Sequence, residues 1–459
     1  MDLAARLAGI VGAAHVLTDP DLVASYQTDW TRRWRGHARL VVRPADTGQV
    51  AACVAACAEA GAPIVPQGGN TGLVGGGVPL HGEVLLSLTR CDRLEPVDTL
   101  TGQVTAGAGA TLTQVRAHVR AAGYDLGVDI AARDSATVGG VLATNAGGAR
   151  VLRYGTTRRQ VLGVEAVLAD GTVVGRLDGL VKDNVGYDLA QLLVGSEGTL
   201  AVLTRARLSL FPLLPVRAVA LVAVDGTAAA QTVFGGLVEQ LDTLRAAEFF
   251  HADGLDLVCH TTGMRPPFDQ PCPTYLLVEC AARAGHGTDL SDALAAALAT
   301  ADGVRDAVVS TDGAGREALW AYRERHTESI NAAGVPVKLD VAVPPRALAQ
   351  AERDIRAAVA AVAPAATVIL FGHLAEGNLH VNVLGATDQA DPVADAVLRA
   401  VAAHQGSISA EHGVGRAKVG WVHLSRSPAE IAAMRAVKRA LDPAGLFNPG
   451  VLLPPEPHR

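Results

Sequence analysis

Three glycine-rich segments set between apolar runs constrain this chain more than any other feature. Residues 66–77 read P-Q-G-G-N-T-G-L-V-G-G-G, residues 134–148 read D-S-A-T-V-G-G-V-L-A-T-N-A-G-G, and residues 193–200 read L-V-G-S-E-G-T-L. Glycine supplies positive φ and lets backbone amides approach an anion closely, so such turns form nests for phosphate. Two common phosphate-binding patterns do not fit. A P-loop needs a lysine after its last glycine, and the dinucleotide fingerprint needs G-x-G-x-x-G running straight into a helix. Alone, the first loop reads equally well as a glycine-rich turn. Three such loops in one half of the chain suggest a long ligand held by backbone along much of its length.

Around these loops, short apolar strands alternate with alanine-rich helices. A chain of 459 residues exceeds one ordinary core, so two or three domains are expected. The prolines of F-P-L-L-P, residues 211–215, suggest a boundary near 214, giving expected segments 1–214, 215–424 and 425–459. Leu3, Leu7, Ile10 and Val11 fall at helical spacing without a basic leader, which predicts an amphipathic first helix. No apolar run is long enough to span a bilayer, and the expected location is cytoplasmic. The formal charge of −7 excludes a general affinity for nucleic acid or anionic membranes. The six cysteines show no C-x-x-C spacing, which argues against an iron–sulfur cluster; Cys53 and Cys57 read as reduced, core-facing helix residues.

A second constellation lies near the other end of the chain. Residues 371–380 read F-G-H-L-A-E-G-N-L-H, and E-H-G-V-G follows at 411–415. If Ala375–Asn378 close a hairpin, Leu374 pairs with Leu379 and His373 sits opposite His380. Opposed side chains approach closely enough to share an ion. Two imidazoles and a carboxylate form a common divalent-metal set with open positions, as catalytic sites need.

The P-Q-G-G-N-T-G loop, the S-A-T-V-G-G and T-N-A-G-G pieces and G-S-E-G-T-L resemble the FAD-binding domain of the vanillyl-alcohol oxidase superfamily. With the histidine hairpin, E-H-G-V-G and D-P-A-G-L-F-N-P-G, residues 442–450, they resemble its D-2-hydroxy-acid dehydrogenase branch over nearly the whole chain. The resemblance implies an α+β fold. It comprises a two-subdomain FAD-binding domain, a substrate (cap) domain with an antiparallel sheet, and a C-terminal segment returning to the FAD domain. It also implies that Pro66, Gln67, Gly68, Gly69, Asn70, Thr71, Gly72 and Leu73 wrap the pyrophosphate. Ser135, Gly139, Gly140, Thr144, Asn145 and Gly148 would line the flavin, with Glu197, Gly198 and Asn448 completing the cofactor contacts. Some relatives attach FAD to a histidine after the first Gly-Gly; Asn70 stands there, so dissociable FAD is expected.

The same resemblance assigns His373, His380 and Glu411 to a metal, Zn²⁺ or Mn²⁺, and His412 to the base. It points Arg323, Thr327, Lys338 and Asn382 at the substrate. Arg323 and Thr327 lie at i and i+4 in a predicted helix, and Lys338 and Asp340 lie opposite the apolar face of a predicted strand. The arginine–threonine–lysine set looks more like the D-2-hydroxyglutarate enzymes than the D-lactate enzymes, so a dicarboxylate substrate is expected. A D-lactate dehydrogenase, a peroxide-forming oxidase, and a non-redox or subunit flavoprotein stay open as alternatives. By the same resemblance, the acceptor is an electron-transfer flavoprotein or a quinone. A homodimer is the default assembly.

Overall fold

The structure, a computed structural model, describes residues 2–285, 287, 289–310 and 312–455. It divides into two compact units: one runs to Gly148, over Tyr154–Leu213 and from Glu411 onward, the other over Ala149–Arg153 and Leu214–Ala410. The chain therefore re-enters the first unit at Glu411, ahead of the expected 425. The cause is local: the turn after Ala410 is hydrogen-bonded to residues of the first unit, as detailed below.

The first unit holds two main sheets. One contains Leu40–Val42, Val84–Ser87 and Ile64–Gln67 in parallel, with Val16–Leu17 added antiparallel at an edge. Leu40–Val42 and Val84–Ser87 are buried along their whole length, as strands covered on both faces must be. The helix Thr47–Glu59 starts where the Asp46 side chain accepts from the Gln49 amide, and it buries Val50, Cys53, Val54, Ala56 and Cys57. Burial pushes the Cys53 and Cys57 thiols up to about 12, so both are inert packing groups. The first helix forms over Leu3–Val11 and packs Leu3, Leu7 and Val11 into the same core. The other sheet is antiparallel, in the order Gln103–Gly107, Val202–Ser209, Val161–Val167, Val173–Gly175. The C-terminal helix Pro428–Leu441 opens with a Ser427–Glu430 capping box. Leu446 and Phe447 then join the first core, where the Ile64 amide donates to Leu446 O and the Asn448 amide donates to Ile64 O.

The second unit is built on a seven-stranded antiparallel sheet. Its order is Val304–Ser310, Val216–Val224, Thr274–Ala282, Leu244–His251, Thr367–His373, Asn378–Leu384, Val337–Ala342. One face carries Val219, Leu221, Phe250, Leu277 and Phe371, with Leu255, Leu319 and Ile330 packed onto it from three helices.

The hairpin register differs from the expected one. His373 lies opposite Asn378, and His380 lies opposite Phe371. The reason is Leu374, which leaves the ladder: its amide donates to Ala247 O on the neighbouring strand, and a turn closes from Leu374 to Gly377, where φ is +68°. The shift is two residues, one full period of a strand, so both histidines keep the same face and become diagonal neighbours.

Candidate active site

The register gathers polar groups on one face of the second unit's sheet. Lys338 pairs with Asn382, Asp340 with His380, and Glu248 with His373. The two imidazole rings lie 5.4 Å apart, edge to face at 82°. Each has a buried carboxylate at Nδ1. Glu248 Oε1 accepts from His373 Nδ1 at 2.5 Å, and Asp340 Oδ1 lies 3.4 Å from His380 Nδ1. Asp340 Oδ1 also accepts from Asn378 Nδ2 at 2.9 Å.

Glu248 is 1% exposed, and its other oxygen pairs with Arg323 at 2.9 Å. Burial would raise its pKa, but the charges of His373 and Arg323 outweigh that and hold the carboxyl below its ordinary value. The Arg323 guanidinium also lies 4.4 Å over the Phe371 ring, a cation–π contact. Burial lowers the Lys338 pKa. Asn382 is buried and donates to His380 O. The predicted continuous helix is two helices, Gly313–Glu324 and His326–Ala333, broken at Arg325. Arg323 ends the first at the polar face, whereas Thr327 is exposed on the second. His326, between the Phe250 and Phe371 rings, is fully buried; desolvation brings it down to about 3, so it is a neutral packing group.

In the first unit, the glycine loops are stacked backbone to backbone. A Cβ at Gly68 would collide with Thr137 Oγ1, and one at Gly69 with Ser135 O; one at Gly139 would lie 2.8 Å from Ala108 Cβ. Gly72 and Gly140 differ. A Cβ at Gly72 meets nothing within 4 Å, and one at Gly140 meets only Thr137 Oγ1 at 3.5 Å. At these two positions the backbone borders open space, as the cradle of a phosphate-bearing ligand must.

The polar side chains of the loops mostly hold shape. Gln67 Nε2 donates to Tyr26 O and Gly77 O, and Asn70 Nδ2 to Thr28 O at 2.8 Å. Thr144 Oγ1 donates to Gly140 O, and Asn145, left-handed at φ 50°, caps the helix Val138–Thr144 and accepts from the Arg158 amide. Pro66, next to last in its strand, packs against Gly198, while Thr71 and Leu73 lie in the loop beyond. Asn448 Nδ2 donates to Gly76 O and Glu197 O, and its Oδ1 is buried without a hydrogen-bond partner among the described residues. Open space at Gly72 and Gly140, with a buried acceptor at Asn448, fits a long, phosphate-bearing cofactor such as FAD.

Two of the expected cofactor residues instead hold the turn 411–415. The Glu197 carboxylate accepts from the Val414 and Gly415 amides at 2.8 and 2.7 Å, and Glu411 Oε1 accepts from the Gly148 amide at 2.8 Å. Burial raises the Glu197 pKa against the pull of those two amides. His412 is thus bracketed between two anchored points. Ligand atoms of Glu411 and His412 lie within 4.8 Å of each other in this unit, as do those of Asp340 and His380 in the other. Nothing in the sequence marks Glu248 or the contact of Asp340 with His380. Glu248 lies in L-R-A-A-E-F-F-H, whose charged residues conceal a strand.

Residues 213–452 match the FAD linked oxidases, C-terminal domain, and residues 38–175 match an FAD binding domain. The chain is 37% identical to D-2-hydroxyglutarate dehydrogenase, mitochondrial, of Bos taurus, covering 99% of this chain and 83% of that protein. It is 38% identical to D-2-hydroxyglutarate dehydrogenase of Xanthomonas citri pv. viticola, covering 96% and 95%. Among solved structures, p-cresol methylhydroxylase superposes with a TM-score of 0.77 at 16% identity over 98% of this chain and 95% of the other. That likeness identifies the fold as the α+β arrangement of vanillyl-alcohol-oxidase-type flavoproteins.

Proposed function

The chain belongs to the FAD-linked oxidases, with the D-2-hydroxyglutarate dehydrogenases as relatives along its length, and from that premise we propose that it oxidises D-2-hydroxyglutarate to 2-oxoglutarate. The observation that carries this reading is the single sheet face on which Lys338, Asn382, Asp340 and His380 pair across strands beside His373 and the Glu248–Arg323 pair. Few structural roles call for so many polar groups on one buried face, whereas a small dianion with a reacting hydroxyl would be met there by Arg323, Lys338 and Asn382.

The glycine loops would hold FAD non-covalently, and the flavin would supply the hydride acceptor at N5. His373, His380 and Glu411 would hold a divalent ion, Zn²⁺ in the first instance and Mn²⁺ in the second, which would supply positive charge beside the substrate hydroxyl. The donor set suits it: two imidazoles and a carboxylate leave positions for a hydroxyl and a carboxylate oxygen. His412 takes the hydroxyl proton at an imidazole nitrogen, its turn held by Glu197 and by Gly148 through Glu411. Arg323 offers its planar fork to one substrate carboxylate, and Lys338 adds charge for the second. Asn382 and Thr327 supply neutral polar contacts. The acceptor of the reduced cofactor would be an electron-transfer flavoprotein or a quinone.

The test is anaerobic bleaching of bound flavin with D-2-hydroxyglutarate, its L-enantiomer, D-malate and D-lactate, repeated after chelation and zinc restoration. Fast bleaching by D-2-hydroxyglutarate, lost on chelation, is expected. Replacing His412 by Ala should keep metal content and slow bleaching by roughly 10²–10⁴-fold. Preference for D-lactate would move the substrate and keep the chemistry, and bleaching by none would remove the activity.

A further inference from the structure

The two histidines share a feature that metal binding alone does not require: a buried carboxylate faces Nδ1 in each. Glu248 reaches His373 from a neighbouring strand, and Asp340 reaches His380 from the opposite neighbour. Both carboxylates are 1% exposed. A buried carboxylate is costly unless it is paired and hydrogen-bonded. Glu248 is bonded through both oxygens, to His373 Nδ1 at 2.5 Å and to Arg323 at 2.9 Å. Asp340 is held by Asn378 Nδ2 at 2.9 Å, with its same oxygen 3.4 Å from His380 Nδ1.

An imidazole whose Nδ1–H points at a carboxylate is fixed in tautomer and ring orientation and coordinates through Nε2. We propose that Glu248 and Asp340 are positioning residues that hold the Nδ1 edges of His373 and His380 and present both Nε2 atoms to one metal. Glu248 has a further task, since its other oxygen orients Arg323. One carboxylate thereby links a metal ligand to the arginine that meets the substrate carboxylate. The strand register makes this possible: Glu248 is directly opposite His373, and Asp340 directly opposite His380, so each pair is set by sheet geometry rather than by a loop. This inference rests on the metal reading above and gives Asp340 an orienting role rather than a place among the ligands.

The experiment measures zinc affinity of the FAD-loaded protein by competition with a chromophoric chelator, alongside the KM for D-2-hydroxyglutarate and the flavin content. Glu248→Gln and Asp340→Asn should each weaken zinc binding by roughly 10–100-fold with full flavin content. Glu248→Gln should also raise KM, whereas Asp340→Asn should leave it near the parent value. Because Glu248→Gln strands the Arg323 charge, the paired Glu248→Gln/Arg323→Gln variant keeps the test in a protein without a buried lone cation. Parental zinc affinity in these variants would overturn the proposal. So would a loss in Asp340→Asn as complete as in His380→Ala, which would make Asp340 a ligand. A parent protein that takes up no zinc is a different result, in which the metal reading fails first.

Discussion

His326, Glu248 and Lys338 of the second unit carry different electrostatic tasks, and their surroundings decide which. His326 is surrounded by aromatic rings and kept neutral, Glu248 is kept ionised by His373 and Arg323, and Lys338 is half-buried with its pKa lowered by desolvation. The lysine gives a pH prediction. A lowered ammonium pKa means that the charge is present below that value and is lost as pH rises through it. The KM for the dicarboxylate should therefore climb on the alkaline side, at a pH below the ordinary lysine value of 10.5. Lys338→Arg, which keeps its proton throughout, should flatten that limb. An unchanged limb in the arginine variant would assign it to another group. D-lactate, lacking the second carboxylate, should show little of it in either protein.

At the scale of elements, the first two glycine loops are a contact before they are a binding site. Gly69 packs on Ser135 O with no room for a side chain, so Gly69→Ala must separate the loops. It should purify with most of its flavin missing, read as absorbance per protein; full flavin content would show that the stacking is dispensable. These loops were legible in the sequence because the demands that shape them are met by glycine, a residue visible in any sequence. The helix Leu3–Val11 and the strand at Val337–Ala342 were legible through their periods. The strand Leu244–His251 was not. It is buried on both faces along nearly all its length, which removes the alternation, and it contains Arg245 and Glu248, charges whose partners come from distant segments. The expected hairpin register failed because the Leu374 amide donates to Ala247 O on a third strand, something no two-strand argument contains. The shared face of the histidines survived because the error was a full strand period.

For the whole molecule, the glycine loops and the sheet with the two histidines belong to separate units. Two of the three proposed metal ligands thus lie outside the unit of the glycine loops, so removing the proposed metal should stop turnover without releasing flavin. Gel filtration after exhaustive chelation, followed by the flavin spectrum, checks this; coelution of flavin with protein is expected, and free flavin would mean that the two sites depend on each other. Among the described residues no helix is long and apolar enough to cross a membrane.

The segmented course of the chain has a consequence for how the molecule is made. The second unit is nearly continuous from Leu214 to Ala410, whereas the first needs Leu446, Phe447 and Asn448 beside Ile64. On a ribosome, the later unit is complete in the emerging chain while the earlier one still waits for its closing segment. The half begun first is finished last, and until then an exposed edge at Ile64 and an unfilled core must be shielded from other nascent chains.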